Sequence, residues 1–165
     1  RVLPSMEFGA IWDRFIDQVG GIFDPITGKA DEAKIKIVRD HTRREMTNRF
    51  KADAVLHPSV QVVGAHVKGF RASWDGTAEE IVSDGWYRGF EQGTTQALSL
   101  IVLIEDVNGA DLYAHRGGIQ LISKTVRGRF VNIAASQILT REDQIVNAVN
   151  IVLNPFLEKQ EPQGR

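Results

Sequence analysis

The stretch Ala97–Ser123, ALSLIVLIEDVNGADLYAHRGGIQLIS, decides the fold of this chain. Its first part is a continuous apolar run typical of a buried strand, and it is far shorter than the about eighteen residues that a membrane span requires. Asn108-Gly109 is the pair preferred in a type I′ turn, and the remainder is typical of an antiparallel partner strand. The stretch therefore predicts a long β-hairpin, with a bulge at Gly117-Gly118.

Two helices are predicted before this hairpin. Ser5 is placed to cap a helix whose apolar residues recur at spacings of three and four until Gly20-Gly21 ends it. Asp31 is the predicted N-cap of a second helix, with Glu32 in its first turn. The predicted buried stripes are Phe8, Ile11, Trp12, Phe15, Ile16 and Val19 in the first helix, and Ile35, Val38, Thr42, Met46 and Arg49 or Phe50 in the second.

The remaining segments are predicted from their periodicity and breakers. Residues 52–70, ADAVLHPSVQVVGAHVKGF, form one strand or two strands bent at Pro58, and the proline favours an edge or a bulge. Residues 71–95 are expected to be a long loop or an irregular hairpin, and residues 125–136 a short strand or a loop. A last helix is expected after a capping box formed by Thr140 and Asp143, with Asn154-Pro155 at its end.

The order of these segments predicts the fold class. With a short strand at RVLP, ended by Pro4, the order is strand, helix, helix, two or three long strands, helix. We expect an α/β fold of the α+β sandwich type, with a mixed, largely antiparallel sheet of about four or five strands and about three helices. One domain over residues 1–157 and a frayed tail over 158–165 are expected.

Composition narrows the function classes. The formal net charge is -1, so no chain-wide basic field exists to attract nucleic acid, and we expect no nucleic-acid partner. Cysteine is absent, which removes disulfides, thiolate nucleophiles and cysteine metal sites. We expect no cofactor, no metal and no catalytic residues.

Two segments look like phosphate-binding motifs but lack the required residues. Gly28-Lys29 would need a glycine at position 23, which is Phe23, and Ala30 replaces the hydroxyl residue of a phosphate loop. The oxygen ligands of a calcium loop are missing as well, so we interpret residues 19–34 as a turn between the two helices. SWDGT, residues 73–77, resembles part of a phosphatase loop but has Ser73 where the essential first aspartate would stand.

Aromatic and basic residues provide the candidate partner surfaces. Four aromatic residues fall within the polar region 71–95, where they either cover the sheet or form a binding surface. Arginines on the second helix are either a solvated face with local ion pairs or a site for an acidic partner or an anionic lipid. The candidate residues are Trp74, Trp86, Tyr87, Phe90, Arg39, Arg43 and Arg44.

The histidines are weaker candidates for a functional site. His57 and His66 are separated by an odd number of residues on a straight strand, and no pair of histidines has the spacing of a local metal site. No Gly-x-Ser-x-Gly is present, and Ser99 lies inside an apolar strand. A hydrolase or small-ligand site built by the loops remains an alternative, with His57, His115, Asp75 and Asp84 as possible members.

Two motifs resemble a class of bacterial envelope lipoproteins. Asp53-Ala54-Val55-Leu56 follows the second helix, and Asp106–Tyr113 fits the hairpin pattern Asp-x-x-Gly-x-x-Leu-Tyr. The chain is similar in these motifs, and in a first strand ending in Leu-Pro, to the curli-secretion lipoprotein and to the amino-terminal domain of the Tol-system propeller protein. FDPITGKADEAK and ASWDGT also resemble segments of uncharacterised proteobacterial lipoproteins.

The resemblance implies a location and a mode of action. It implies a small α/β domain in the periplasm that is anchored at the outer membrane, held to the membrane only by a lipid anchor and preceded by a signal before Arg1. It carries no catalytic residue across. We therefore expect a non-enzymatic assembly or accessory factor that contacts envelope proteins or itself as a homo-oligomer. A small-ligand-binding protein or hydrolase is one alternative, and a cytosolic regulatory module is another.

Overall fold

A computed structural model describes residues 3–81, 90–126 and 129–157. The described chain forms an α+β fold, which confirms the predicted class. A five-stranded antiparallel sheet has the order β3-β2-β1-β4-β5, and β6 pairs with β7 in a second sheet. The strands are β1 (Ala54–Gly69), β2 (Arg71–Trp74), β3 (Thr77–Glu80), β4 (Phe90–Asp106), β5 (Asp111–Leu121), β6 (Ser123–Val126) and β7 (Arg129–Asn132). The helices are α1 (Ser5–Gln18), α2 (Glu32–Phe50), α3 (Glu142–Leu157) and a short 3-10 helix (Ala135–Gln137).

The chain divides into two compact units. The first is built from residues up to Leu56 together with Ile104–Leu112, and the second from His57–Leu103 together with residues from Tyr113 onwards. The boundary therefore falls within β1, β4 and β5. The predicted single domain over 1–157 stays a prediction, and the predicted tail over 158–165 lies outside the described residues.

The first unit contains α1 and α2. The prediction of a Ser5 cap is wrong, because Ser5 is already helical and the preceding Pro4 makes no side-chain cap bond. The predicted helix end is confirmed, since Gly20 and Gly21 have φ values of 71° and 85°, a region that glycine enters without a steric penalty. The predicted first strand at RVLP falls partly on residues outside the described ranges, and Leu3 and Pro4 are not in a strand.

The segment between these helices is the predicted turn. Asp24 Oδ1 accepts hydrogen bonds from the backbone N–H groups of Ile26 (2.9 Å) and Thr27 (2.7 Å), which lowers the pKa of Asp24. Asp31 Oδ1 accepts from Lys34 N at 3.0 Å, so Asp31 is the N-cap of α2 as predicted. The loop is thus organised by two carboxylates that bind backbone donors.

A buried ion pair joins α2 to β4 inside the first unit. Val38, Thr42 and Met46 form the buried side of α2, as predicted. The Arg43 guanidinium donates to the Glu105 carboxylate, and both side chains are largely buried. A Cβ on Gly109 would lie 2.6 Å from an Arg43 guanidinium nitrogen, so the glycine leaves room for the arginine.

The β4–β5 hairpin lies where the sequence predicts it, but its turn is of another kind. Gly109 has φ 89°, whereas Asn108 is not in the positive-φ region that a type I′ turn requires. Asp106 Oδ1 instead accepts from Asn108 N and Ala110 N, both at 2.8 Å, and Gly109 N donates to Asp106 O at 3.1 Å. The aspartate side chain therefore organises a longer turn that ends in a left-handed glycine.

The second unit contains two apolar clusters around the sheet. One is built on Ala65, Val67, Ala72, Trp74, Ile81, Ala97 and Leu121, and the other on Leu98, Ile119, Ile122 and Ala148. β1 runs through Pro58 as one strand, which decides between the two predicted alternatives.

Residues 71–80 form a tight hairpin. Asp75 and Gly76 connect β2 to β3 with φ values of 37° and 77°, the two positive values that define a type I′ turn. The hairpin alternative predicted for residues 71–95 therefore holds for residues 71–80, although this hairpin is regular, and residues 82–89 lie outside the described ranges.

The two glycines of β5 permit close approach of neighbouring elements. A Cβ on Gly117 would collide with the carbonyl oxygen of Ala148 in α3, and a Cβ on Gly118 would collide with Thr77 Cγ2 and approach Trp74 Nε1 to 2.7 Å. Gly118 N donates to Asp75 O at 2.9 Å. β5 runs through both glycines as one strand, the two positions leave no space for a side chain, and the bulge stays a prediction.

The C-terminal part departs from the sequence prediction at both ends of α3. The helix begins at Glu142, and the Thr140 hydroxyl donates to Gln137 O at 3.4 Å, so Thr140 is not its cap. Pro155 lies inside the last turn, and the helix reaches Leu157. The Tyr113 hydroxyl donates to Val152 O at 2.5 Å and its ring contacts Phe156 edge-on, which stabilises this turn beyond the proline.

We expect Asp31→Ala to lower the free energy of unfolding by about 1 kcal/mol, because Lys34 N loses its acceptor. Asp31→Asn keeps an acceptor oxygen and is expected to retain most of the stability. Ser5→Ala is expected to change little. Urea denaturation of the three variants checks this, and an equal loss for Asp31→Ala and Ser5→Ala would contradict the assignment of the cap.

We expect Gly118→Ala to lower the free energy of unfolding by about 1–3 kcal/mol, because the new methyl group must displace Thr77 and the Trp74 indole. Gly9→Ala is the matched control. No heavy atom lies within 4 Å of the added Cβ, and Gly9 is inside α1, so alanine is expected to stabilise. Thermal unfolding followed by tryptophan fluorescence measures both. A neutral Gly118→Ala would show that the close approach is not required.

Candidate interaction surface

Within the part of the chain that the structure describes, one edge of β1 has no neighbouring strand over most of its length. The neighbours of β1 in the sheet are β2 and β4. β2 is only four residues long, and its register with β1 covers His66–Lys68. Across the described ranges, no strand pairs with β1 on the β2 side before His66. We call residues 58–64 of β1 the open segment.

The backbone direction within the open segment follows from the β1–β2 turn. Lys68 and Arg71 flank the two-residue turn Gly69-Phe70, and such a turn is closed by a backbone hydrogen bond between its flanking residues. Backbone groups alternate in direction along an antiparallel strand. Counting back from Lys68 in steps of two, the N–H and C=O groups of Val60 and Val62 point to the uncovered edge.

The side chains of the open segment are exposed as well. Val60 is 47% and Val62 57% exposed, and they lie on the same face because they are two residues apart. Ser59 and Gln61, on the opposite face, are also exposed. An apolar pair thus lies beside a row of backbone hydrogen-bonding groups.

The open segment carries no charged residue. Its sequence, PSVQVVG, has no lysine, arginine, aspartate or glutamate. Exposed edge strands are usually protected by charges, by prolines or by short length, since an uncharged edge pairs readily with another strand. Pro58 is the single protective residue in the segment, and the remainder has the composition of a strand that another strand covers.

The aromatic residues that the sequence suggested as a partner surface do not form such a surface in the described structure. Trp74 is 6% exposed, and its Nε1 donates to Leu98 O at 3.1 Å inside the second unit. Trp74 is therefore a core residue, and the prediction that it belongs to a partner surface is wrong. Trp86 and Tyr87 lie outside the described residues. Phe90 begins β4, but its side chain is also outside the described part.

The three arginines of α2 do not share one environment. Arg43 is 7% exposed and pairs with Glu105, so it is a structural residue and not part of a partner surface. Arg39 and Arg44 are exposed, as predicted for a solvated face. The Lys36–Asp40 ion pair is also exposed on α2, and exposed pairs of this kind contribute little to stability.

The structure gives little support to the alternative hypothesis of a site built from histidines and aspartates. His57 is half-buried in β1, and His115 is exposed in β5 beside the Tyr113 ring at 6.0 Å. The Ser99 hydroxyl donates to Asp75 Oδ2 at 2.6 Å, but Ser99 is fully buried and cannot reach a substrate. Asp84 lies outside the described residues. Within the described ranges, no three His, Asp or Glu side chains form a metal-binding group.

Burial raises the pKa of the Glu79 carboxylate. It lines an open depression with Phe70, Arg71, Ala78 and Glu80. Glu79 accepts from Gln144 Nε2 at 2.7 Å and from Leu121 N at 3.4 Å. Removal from water raises its pKa, while the Leu121 N–H and the positive charge of Arg141 oppose the rise. Glu79 therefore joins β3 to β5 and α3, which is a structural role.

Sequence reasoning missed the open segment. The alternation of Val60 and Val62 was visible, and Pro58 indicated an edge. The signal that was overlooked is the Asp75-Gly76 pair, because a tight turn there makes β2 too short to cover the whole edge of β1. Asp-Gly between alternating residues is a strong hairpin signal that could have shown this.

Comparison with known proteins adds no relative: no family model, no curated protein and no solved structure matches the chain. None of the described helices is long and apolar enough to cross a membrane.

We expect the free energy of unfolding of the Glu79→Gln variant to increase, relative to that of the unmodified protein, as the pH rises. The raised pKa means that the folded state retains the Glu79 proton to higher pH than the unfolded state does. Stability from this group is therefore present at low pH and is lost as the pH rises through the folded pKa. Glu80→Gln removes the same charge from an exposed position of the same strand. Urea denaturation between acidic and neutral pH should show a larger pH-dependent gain for Glu79→Gln, and equal slopes would contradict the assignment.

Proposed function

We propose that the protein is a non-enzymatic periplasmic domain of a bacterial envelope lipoprotein, and that it acts as an assembly or accessory factor through protein–protein contacts. A lipid anchor preceding Arg1 would hold it at the outer membrane. The contact surface is the open segment of β1. The observation that carries this proposal is an uncharged strand edge with Val60 and Val62 exposed beside it.

The physical argument is one of complementarity. Water satisfies the free N–H and C=O groups of an edge, but the two exposed valines favour any partner that removes them from water. A protein strand does both, because its backbone bonds to the edge and its side chains cover the apolar pair. A small ligand would satisfy only a few of these groups.

The lipoprotein resemblance supports the proposed location. Asp53–Leu56 leads from α2 into β1, and Asp106–Tyr113 forms the turn between β4 and β5. These are the structural roles that the resemblance gives to the two motifs. They support a domain of this kind but identify no partner.

The test uses the full-length gene product in its bacterial host. We expect it in the envelope fraction, with a palmitate label that depends on a cysteine before Arg1. Val62→Lys should remove most crosslinks to envelope proteins, because it places a charge within the apolar pair. Val146→Lys is the matched control, since Val146 on α3 is 49% exposed.

The outcomes separate the parts of the proposal. Loss of crosslinks with Val62→Lys, and not with Val146→Lys, supports the open segment as the contact surface. Equal crosslinking by both variants would reject it. A protein found in the cytosol without a lipid label would reject the envelope location, and turnover of a metabolite by the purified protein would reject the non-enzymatic role.

A further inference from the structure

We propose that Asn108 is a site of spontaneous deamidation and that the Asp106 side chain controls the rate of this reaction. In deamidation the backbone nitrogen of Gly109 attacks the side-chain carbon Cγ of Asn108. A new C–N bond closes a succinimide ring, and the Asn108 amide nitrogen leaves as ammonia with the proton from Gly109 N. Water then opens the ring to aspartate or isoaspartate, so water is the sole co-reactant. This inference does not rest on the proposed function.

The sequence makes position 108 the most susceptible asparagine in the chain. Of the six asparagines, Asn108 is the one followed by glycine. Glycine has no Cβ to hinder the approach of its nitrogen to the neighbouring side chain, and its backbone angles adapt readily to ring closure. Asn108 is also exposed, so water reaches the ring. The residue, its neighbour and its exposure are therefore all those of a deamidation site.

The folded turn keeps both reacting groups in hydrogen bonds. Gly109 N donates to Asp106 O at 3.1 Å, and Asn108 Nδ2 donates to Asp106 Oδ2 at 3.3 Å. Asn108 N and Ala110 N both donate to Asp106 Oδ1 at 2.8 Å, which fixes the backbone on each side of the reacting pair. The attacking nitrogen and the attacked side chain are therefore both bound to Asp106, and ring closure requires these bonds to break.

The Asp106 carboxylate keeps this role over a wide pH range. The hydrogen bonds from Ala110 N, from the Asn108 side chain and from Asn108 N lower the pKa of Asp106, so the carboxylate stays ionised well into acid. Ring closure requires Gly109 N to lose its proton and is therefore fastest at alkaline pH. The turn thus stays closed, and protects Asn108, under the conditions in which the reaction is fastest.

The products do not fit the same turn. An aspartate or isoaspartate at position 108 places a carboxylate where Asn108 Nδ2 donates to Asp106, and two carboxylates at that separation repel each other. Isoaspartate also adds a methylene group to the backbone. Gly109 lies against the Arg43 guanidinium, which pairs with Glu105, so a shift of the turn reaches this buried ion pair. We therefore expect the reaction to be irreversible and to destabilise the first unit.

The first experiment measures the deamidation rate of Asn108 by peptide mapping and mass spectrometry at mildly alkaline pH. Each protein is incubated folded and, separately, unfolded in guanidinium chloride. The unfolded rate divided by the folded rate is the protection factor, and the effect of the sequence itself cancels in this ratio. The parent protein should show a factor of about ten or more, because at least two hydrogen bonds must break before the ring closes.

Variants of the turn test the control by Asp106. Asp106→Ala removes the side-chain acceptor and should lower the protection factor about tenfold. Asp106→Asn retains one acceptor oxygen for the backbone N–H groups and should give an intermediate value. Asp111→Ala is the matched control, since Asp111 is an exposed acid just after the turn, and it should keep the factor of the parent protein. Circular dichroism shows whether each variant is folded, and Asp106→Asn provides the test if Asp106→Ala is not.

The second experiment tests the consequence of the reaction. The deamidated protein is separated from the parent protein by anion-exchange chromatography, since deamidation adds a negative charge, and both forms are then unfolded with urea. The deamidated form should unfold at a lower urea concentration. Asn108→Asp adds the charge without the extra methylene group, and its unfolding midpoint should fall between those of the two forms.

The outcomes separate the steps of the inference. No reaction at Asn108 in the unfolded protein would overturn the modification site. A protection factor near one in the parent protein, or a folded Asp106 variant that keeps the full factor, would overturn the control by Asp106. Equal urea midpoints would show that the turn accommodates the products. None of these measurements depends on the envelope crosslinks, so their failure would leave the proposed function standing.

Discussion

The contact between the β2–β3 turn and β5 is the constraint on which the second unit depends. Trp74 Nε1 donates to Leu98 O at 3.1 Å, and Gly118 N donates to Asp75 O at 2.9 Å. These two bonds hold the tip of the hairpin against β4 and β5. The approach is possible because Gly118 has no Cβ, and it places the Trp74 ring in the apolar cluster that the sheet encloses.

The open segment is a consequence of this arrangement. β2 pairs with His66–Lys68 and then ends at Trp74, because the Asp75-Gly76 turn leads directly into β3. The earlier part of β1 then has β4 as its one neighbour in the described sheet. An edge with two exposed valines and no charge therefore follows from the tight turn that limits β2 to four residues, and the same turn contacts β5. Stability of the unit and availability of the contact surface have the same physical origin.

The local part of the fold could be predicted from the sequence. Asp31 caps α2 and Gly20-Gly21 ends the preceding helical segment, because these depend on one side chain or one backbone angle. The β4–β5 hairpin was located correctly, since a long apolar run can only be buried. Its turn type was wrong, because the Asp106 carboxylate satisfies two backbone donors and outweighs the preference of Asn108-Gly109.

The sequence by itself determined the helices, the main hairpin and the α+β class, because periodicity and turn residues act over a few positions. Tertiary structure decided which residues are buried and which edge stays open. The sequence suggested Trp74 and Arg43 as residues of a partner surface. In the structure Trp74 is a core residue, and Arg43 pairs with Glu105, which is distant in sequence. The sequence marked Gly117-Gly118 as special, but it could not show that Ala148 and Trp74 approach these two glycines from distant segments. Such partners are set by the packing of distant segments, which no local pattern encodes.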